Sequence, residues 1–118
     1  MPSGDTMAQE YVLIQPDHAH LGQIALTKEV FEMIARIACE EEDGVAGLDV
    51  GPLKRPVLCK IQDNLLNVHV EVKIKYGSNV SKVCEDLQQK IFQAVLQMTD
   101  LKCNLIDIKV AGFAFNAH

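Results

Sequence analysis

The clearest pattern in the chain is an alternation: Leu66, Val68, Val70, Val72, Ile74 and Tyr76 interleave with Asn67, His69, Glu71, Lys73 and Lys75. Successive side chains of a strand point to opposite faces, so this segment predicts a strand with one dry and one wet face. Gly77 ends it, and Ser78, Asn79 or Ser81 can cap a following helix. From about Val80 to Met98 the period changes. Val80, Val83, Leu87, Ile91, Ala94, Val95 and Met98 recur at helical spacing with Cys84 alongside, while Lys82, Glu85, Gln88, Gln89 and Gln93 occupy the outer face.

Upstream, Gly22 to Leu26 reads as a short strand, and Thr27 is a good N-cap with Glu29 in the first turn. Val30, Ile34, Ile37 and Ala38, widened by Phe31 and Met33, predict a helix from about Lys28 to Glu42 that Gly44 terminates. Gly44-Val45-Ala46-Gly47 reads as a compact turn, and Asp49 to Pro56, with Gly51, Pro52 and Pro56, as a loop. Val57 to Ile61 is a candidate strand, joined by an Asp63-Asn64 turn to the alternating strand. A last strand covers about Lys102 to Phe113, where Ile106, Ile108 and Val110 alternate with Asp107 and Lys109.

This order predicts an α+β fold: a two-layer βαββαβ domain with two helices packed on one face of a four-stranded sheet. The opposite face displays His69, Glu71, Lys73 and Lys75. Residues 21–115 form the single domain. Residues 1–20 read as a flexible leader, disordered through about Glu10, in which Tyr11 to Ile14 is apolar enough to add a short strand. Residues 116–118 read as a tail.

Composition narrows the function. The 118 residues fit one domain, and 48% hydrophobic with 23% charged residues allows a core and a solvated surface. Eleven Lys and Arg against 16 Asp and Glu give a net charge of −5. That balance argues against nucleic acid as the main partner and against direct binding to anionic lipid. No apolar stretch is long enough to span a bilayer, and Met1 to Tyr11, carrying Asp5 and Glu10, has no signal-peptide pattern. The expectation is a cytoplasmic protein that reaches a membrane only through a partner. Cysteines at 39, 59, 84 and 103 lack the short C-x-x-C spacing of zinc and redox sites, and read as reduced, buried apolar residues.

Candidate chemistry is thin. His18 and His20 beside Asp17 form at most a partial metal site, since closed sites need four fixed donors. No nucleophile-elbow, P-loop or dinucleotide motif is present. Cys39 precedes Glu40, Glu41, Glu42 and Asp43, whose charge raises a thiol pKa and disfavours nucleophilic use. No catalytic, cofactor-binding or metal residue is therefore expected, and no cofactor. Two features suit a partner contact. The run Glu40, Glu41, Glu42 sits at a helix C-terminus, where each negative charge costs about 0.3–1 kcal/mol; it is either a solvated helix end or an acidic docking patch for a basic segment. Phe113 and Phe115 share the parity of Asp107 and Lys109, so they either return to the core through a bulge at Gly112 or mark an exposed contact.

The assembled residues resemble the alkaline shock protein (envelope stress response) family of mainly Gram-positive bacteria. One block is Ile24 through Leu48, with Thr27-Lys28-Glu29-Val30, Ile34-Ala35, Ala38 and Gly44-Val45-Ala46-Gly47-Leu48. The other runs from Tyr76-Gly77 and Asn79-Val80 through Gln89, Ile91, Val95 and Met98-Thr99-Asp100-Leu101 to Ile108, Val110 and Gly112. Lys28 and Ser81 stand where the family often has proline, Asp100 where glycine is common, and Cys39 where alanine is usual. The resemblance implies a non-catalytic protein of envelope homeostasis acting through protein contacts. Its implied partner is a small membrane-anchored protein; a homo-oligomer is a separate expectation that the resemblance does not supply. The alternatives are a small-ligand or regulatory module serving lipid metabolism, and a metalloenzyme built from His18, His20 and the acidic run.

Overall fold

The computed structural model describes residues 9–14, 21–49, 51–52 and 54–115. Its elements are β1 (Tyr11–Ile14), β2 (Ile24–Thr27), α1 (Lys28–Glu41), β3 (Val45–Leu48), β4 (Val57–Gln62), β5 (Leu65–Lys75), α2 (Val80–Thr99) and β6 (Leu105–Ala114). The fold is α+β, with two helices packed on a four-stranded sheet.

β5 is the axis of that sheet. Leu66, Val68, Val70, Val72 and Ile74 are all buried, as the alternation requires, while Asn67, His69 and Glu71 are half-buried and Lys73 and Lys75 exposed. One edge of β5 is shared by two strands in line: β4 pairs with its first half and β3 with its second, both antiparallel. β6 runs parallel along the other edge. Gln62 pairs with Leu65, so the β4–β5 connection is a two-residue hairpin loop. Asp63 and Asn64 both adopt positive φ there (53° and 61°), as the primed hairpin turn demands and as these residue types tolerate. Tyr76, which the alternation carried to the buried face, lies past the strand end and is exposed.

Four further expectations change. The predicted first strand is β2, but it pairs with β1 in a separate two-stranded ribbon. β1 falls inside the segment read as a flexible leader, yet Val12 is fully buried in the main core. Gln9 bridges to Ile61, with its N–H 2.9 Å from the Ile61 carbonyl, so order begins ahead of Glu10. The fourth strand of the main sheet is β3, drawn from the stretch read as a turn. Two glycines hide its pattern, but Val45 is buried opposite Ile74. Gly44 does not terminate α1, which closes at Glu42 in an extended conformation. A Cβ at Gly44 would collide with the Val83 side chain, so glycine is needed there for the close approach of α2.

α2 starts as expected, with the Asn79 side chain accepting from the Lys82 N–H at 3.0 Å. It ends at Asp100, which takes the left-handed conformation usual for glycine (φ 63°). Val83, Leu87, Ile91 and Val95 are its buried residues of the predicted stripe. The core also takes Phe31, Ile34, Ala35, Ala38 and Cys39 from α1. One buried carboxylate belongs to the architecture: Glu32 Oε2 accepts from the Cys59 N–H at 3.0 Å, satisfying a donor on the edge of β4 that faces away from β5.

Two cysteines are core residues. Burial, reinforced by Glu40, pushes the Cys39 thiol up to about 12; burial, reinforced by Glu32, does the same at Cys59, also to about 12. Burial raises Cys103 to about 11 and also raises Cys84.

Four measurements check this packing. Ile91→Ala should cost about 2–5 kcal/mol in denaturant unfolding, from lost transfer energy plus a cavity; Lys82→Ala, on the outer face, should stay within about 0.5 kcal/mol of the parent. Equal midpoints would mean that the phase of α2 is wrong. Glu32→Ala strands the Cys59 donor and should cost about 1–3 kcal/mol, while Glu32→Gln keeps an acceptor and should recover most of that. Thiol labelling of the native protein should be slow at Cys39 and Cys59 and should accelerate on unfolding. The unfolded chain loses these protons near the ordinary 9.0 and the folded chain only near 12, so stability should fall as pH rises across that interval.

Candidate functional site

α1 carries more apolar side chains than the sheet can cover. Phe31, Ile34, Ala35, Ala38 and Cys39 turn inward, and Val30, Met33 and Ile37 are left 38%, 63% and 48% exposed. α2 repeats this on a smaller scale: its inward positions are buried, while Met98 is 71% exposed and Ala94 half-buried. The two surpluses meet where the helices pack. Val30, Met33, Ile37, Ala94 and Met98 line a groove of about 410 Å³, with Ile34 and Ala38 contributing buried residues to its lining. Among the described residues, Glu29 and Glu41 are the only charged ones that line it. Contiguous exposed apolar surface is unfavourable in water and marks contact sites. Two methionines make such a surface adaptable in shape.

The acidic run splits into different roles. Glu42 is nearly covered and ion-paired with Lys90 at 3.3 Å. Lys90 Nζ also donates to the Glu41 carbonyl at 3.1 Å. A cation from α2 thus sits at the C-terminus of α1, where the helix dipole favours positive charge, and offsets the unfavourable acidic end. Glu41 belongs to the groove and Glu40 is exposed.

Phe113 and Phe115 do not enter the core. The β5–β6 register steps between Val72–Val110 and Lys73–Gly112, leaving Ala111 without a ladder partner, so a bulge lies beside Gly112. Both rings nevertheless remain exposed and gather on Tyr76. Tyr76 and Phe113 meet edge to face at 5.8 Å, and Tyr76 and Phe115 lie 4.6 Å apart with a 30° tilt.

On the wet face of the sheet, His69 Nδ1 lies 3.2 Å from Asp107 Oδ2, in a shallow cup also lined by Arg55, Glu71 and Lys109. Among the described residues no serine, threonine or cysteine lines this cup, so the histidine–carboxylate pair has no nucleophile to activate there. Lys54 hydrogen-bonds Asp49 at 2.8 Å and holds that carboxyl below its usual pKa, clipping the loop between β3 and β4. Among the described residues no three His, Cys, Asp or Glu side chains converge on a metal position. His18, His20 and His118 lie outside the described residues. No helix among the described residues is long and apolar enough to cross a membrane.

The groove is the feature that reading the sequence missed, because Val30, Met33, Ile37 and Met98 all match a core pattern. The available signal was the width of the apolar arc on α1, which exceeds what one sheet face can bury.

Comparison with known proteins agrees with the resemblance in the sequence. The profile of the alkaline shock (ASP23) family, described by a cell envelope-related function, matches residues 16–115. The chain is 32% identical to "Uncharacterized protein YqhY" of Bacillus subtilis (strain 168) over 118 aligned positions, covering 88% of this chain and 87% of that protein. No solved structure matches. With the matched span embracing both helices and the whole main sheet, the chain belongs to the alkaline shock protein family, whose function is cell envelope-related.

Proposed function

We propose that this protein serves the cell envelope without catalysis, by holding an amphipathic helix of a partner protein in the α1/α2 groove. The observation that carries the reading is the exposed set Val30, Met33, Ile37 and Met98, beside which Glu29 and Glu41 are the only charges among the described residues. Glu29 and Glu41 are twelve residues apart, which spans about 18 Å along the helix. A partner helix with apolar residues at i, i+3 or i+4, i+7 and i+11 would fill that length. Lys or Arg at its ends would meet the two glutamates. A small membrane-anchored protein with a basic segment next to its anchor has this chemistry, and basic flanks mark the cytoplasmic side. Bound to it, a cytoplasmic domain would work at the membrane surface without inserting.

A second reading has its own support. The groove volume falls within the range of small-ligand sites and its lining is almost wholly apolar. An acyl chain could occupy it, which would make the domain a ligand-binding module of lipid metabolism.

One titration separates the two. An amphipathic Leu/Lys peptide of about 18 residues should shift the amide resonances of Val30 to Ile37 and of Met98, and a Leu/Glu peptide of the same pattern should not. Ile37→Asp should weaken the response at least about tenfold with little change in melting temperature, because the side chain is exposed. Shifts produced by palmitate and not by the basic peptide would select the ligand-binding reading. Silence with both would remove the groove as the functional site.

A further inference from the structure

We propose that a second copy of this chain pairs antiparallel with β6, about a two-fold axis through Ile108. The inference is independent of the groove, which lies on the helices. β6 has ten residues, and among the described residues no strand pairs with its edge away from β5. Long unpaired edges are liabilities that folded proteins normally blunt or use. The opposite side of the sheet is treated differently: on the outward edge of β4 the Gln9 N–H donates to the Ile61 carbonyl and the Glu32 carboxylate accepts from the Cys59 N–H.

The backbone phase shows which groups are available. Glu71 directs both its N–H, to Pro56, and its carbonyl, to Asp49, toward the β3/β4 side. The even residues of β5 therefore face β6, and Leu105, Asp107 and Lys109 are the residues of β6 that face back. Ile106, Ile108 and Val110 present N–H and carbonyl groups outward. Gln88 agrees with this phase by donating to the Ile106 carbonyl at 2.9 Å; in the pair that side chain gives way to Val110 of the second copy.

Charge then selects the register. With Ile108 opposite its own copy, Ile106 meets Val110 and Asp107 meets Lys109. Asp107 and Lys109 occupy the non-hydrogen-bonded positions, where facing side chains are closest. Moving the two-fold axis by one residue in either direction sets Asp107 against Asp107 or Lys109 against Lys109. Opposite charges in facing positions stabilise and like charges destabilise. Within one copy His69 already pairs with Asp107 and Glu71 with Lys109 along the ladder. Each row across the joined sheet then reads His69, Asp107, and Lys109 and Glu71 of the second copy, with the charged groups alternating in sign. On the helix face the half-buried Ile106, Ile108 and Val110 gain apolar neighbours. The bulge at Ala111 ends the straight edge, so the ladder spans 106–110 with about six backbone hydrogen bonds and leaves Phe113 and Phe115 outside it.

Sedimentation equilibrium of the full chain over a concentration series tests this. The parent should be a dimer. Asp107→Lys sets the new lysine against Lys109 of the other copy, and Lys109→Asp sets the new aspartate against Asp107. Each variant alone should therefore associate at least about tenfold more weakly. Mixed in equal amounts, the two variants should form a heterodimer, because opposite charges then face each other in both rows. Where Asp107→Lys meets Lys109→Asp, the two new side chains also attract, and the other facing pair, Lys109 with Asp107, is the native one. That rescue cannot come from misfolding of either variant. A monomeric parent, a dimer indifferent to both substitutions, or a mixture that fails to recover association would each overturn the proposal. Ile37→Asp serves as the control for the groove: it should leave the dimer intact, and loss of the dimer in that variant would move the interface to the helices and overturn the β6 pairing.

Discussion

Burial of one face of β5 is the constraint on which the rest of the structure depends. Five alternating side chains, Leu66 to Ile74, lie at 2% exposure or less. Burial of each such side chain is worth about 1.5–3 kcal/mol. A one-residue slip of any neighbouring strand would turn that strand's own apolar residues to water. β5 therefore sets the register of β3, β4 and β6, and both helices must lie over the same face. The parallel β6 follows from α2, because a crossover helix on that face returns the chain in the direction of β5.

Covering the sheet does not use up the apolar surface of the helices. α1 is apolar around a wide arc, and a helix packed on a flat layer hides only the side it presents. The surplus falls in the crevice beside α2, where Ala38 and Ala94 are too small to fill the space. The same junction solves an electrostatic problem. The acidic end of α1 would be unfavourable alone, and Lys90 of α2 supplies the cation it needs. Groove and charge pair are thus two outcomes of one helix–helix contact.

The two edges of the sheet are managed unequally. On the β4 side, Gln9 supplies a bridge and Glu32 reaches from α1 to a backbone donor. This explains why residues 9–14 are ordered: Val12 fills a core position and Gln9 bonds to an outward carbonyl of β4. On the β6 side the cover among the described residues is one Gln88 amide. Among the described residues, the longest strand edge left without a strand partner is therefore that of β6, away from the helical groove.

Local pattern was enough for β5, for the hairpin at Asp63-Asn64, for a cap among Ser78, Asn79 and Ser81 and for the length of α2, because each is set by interactions within a few residues. The α+β class and the family resemblance were legible for the same reason. β3 was not: four residues with a glycine among them carry no period, and only pairing with Ile74 and Val72 makes them a strand. The role of Gly44 was misread because its neighbour Val83 is distant in sequence. Burial of α1 was misassigned at Val30, Met33 and Ile37, since helical spacing says that a residue can be buried and not whether a partner surface exists to bury it. The fate of Phe113 and Phe115 likewise turned on a bulge and on Tyr76 from another segment. The sequence by itself determined which of the longer segments are helices and strands and which faces are dry, since those depend on periodicity; tertiary structure alone decided where apolar surface is left over, because that depends on how much area one layer offers another.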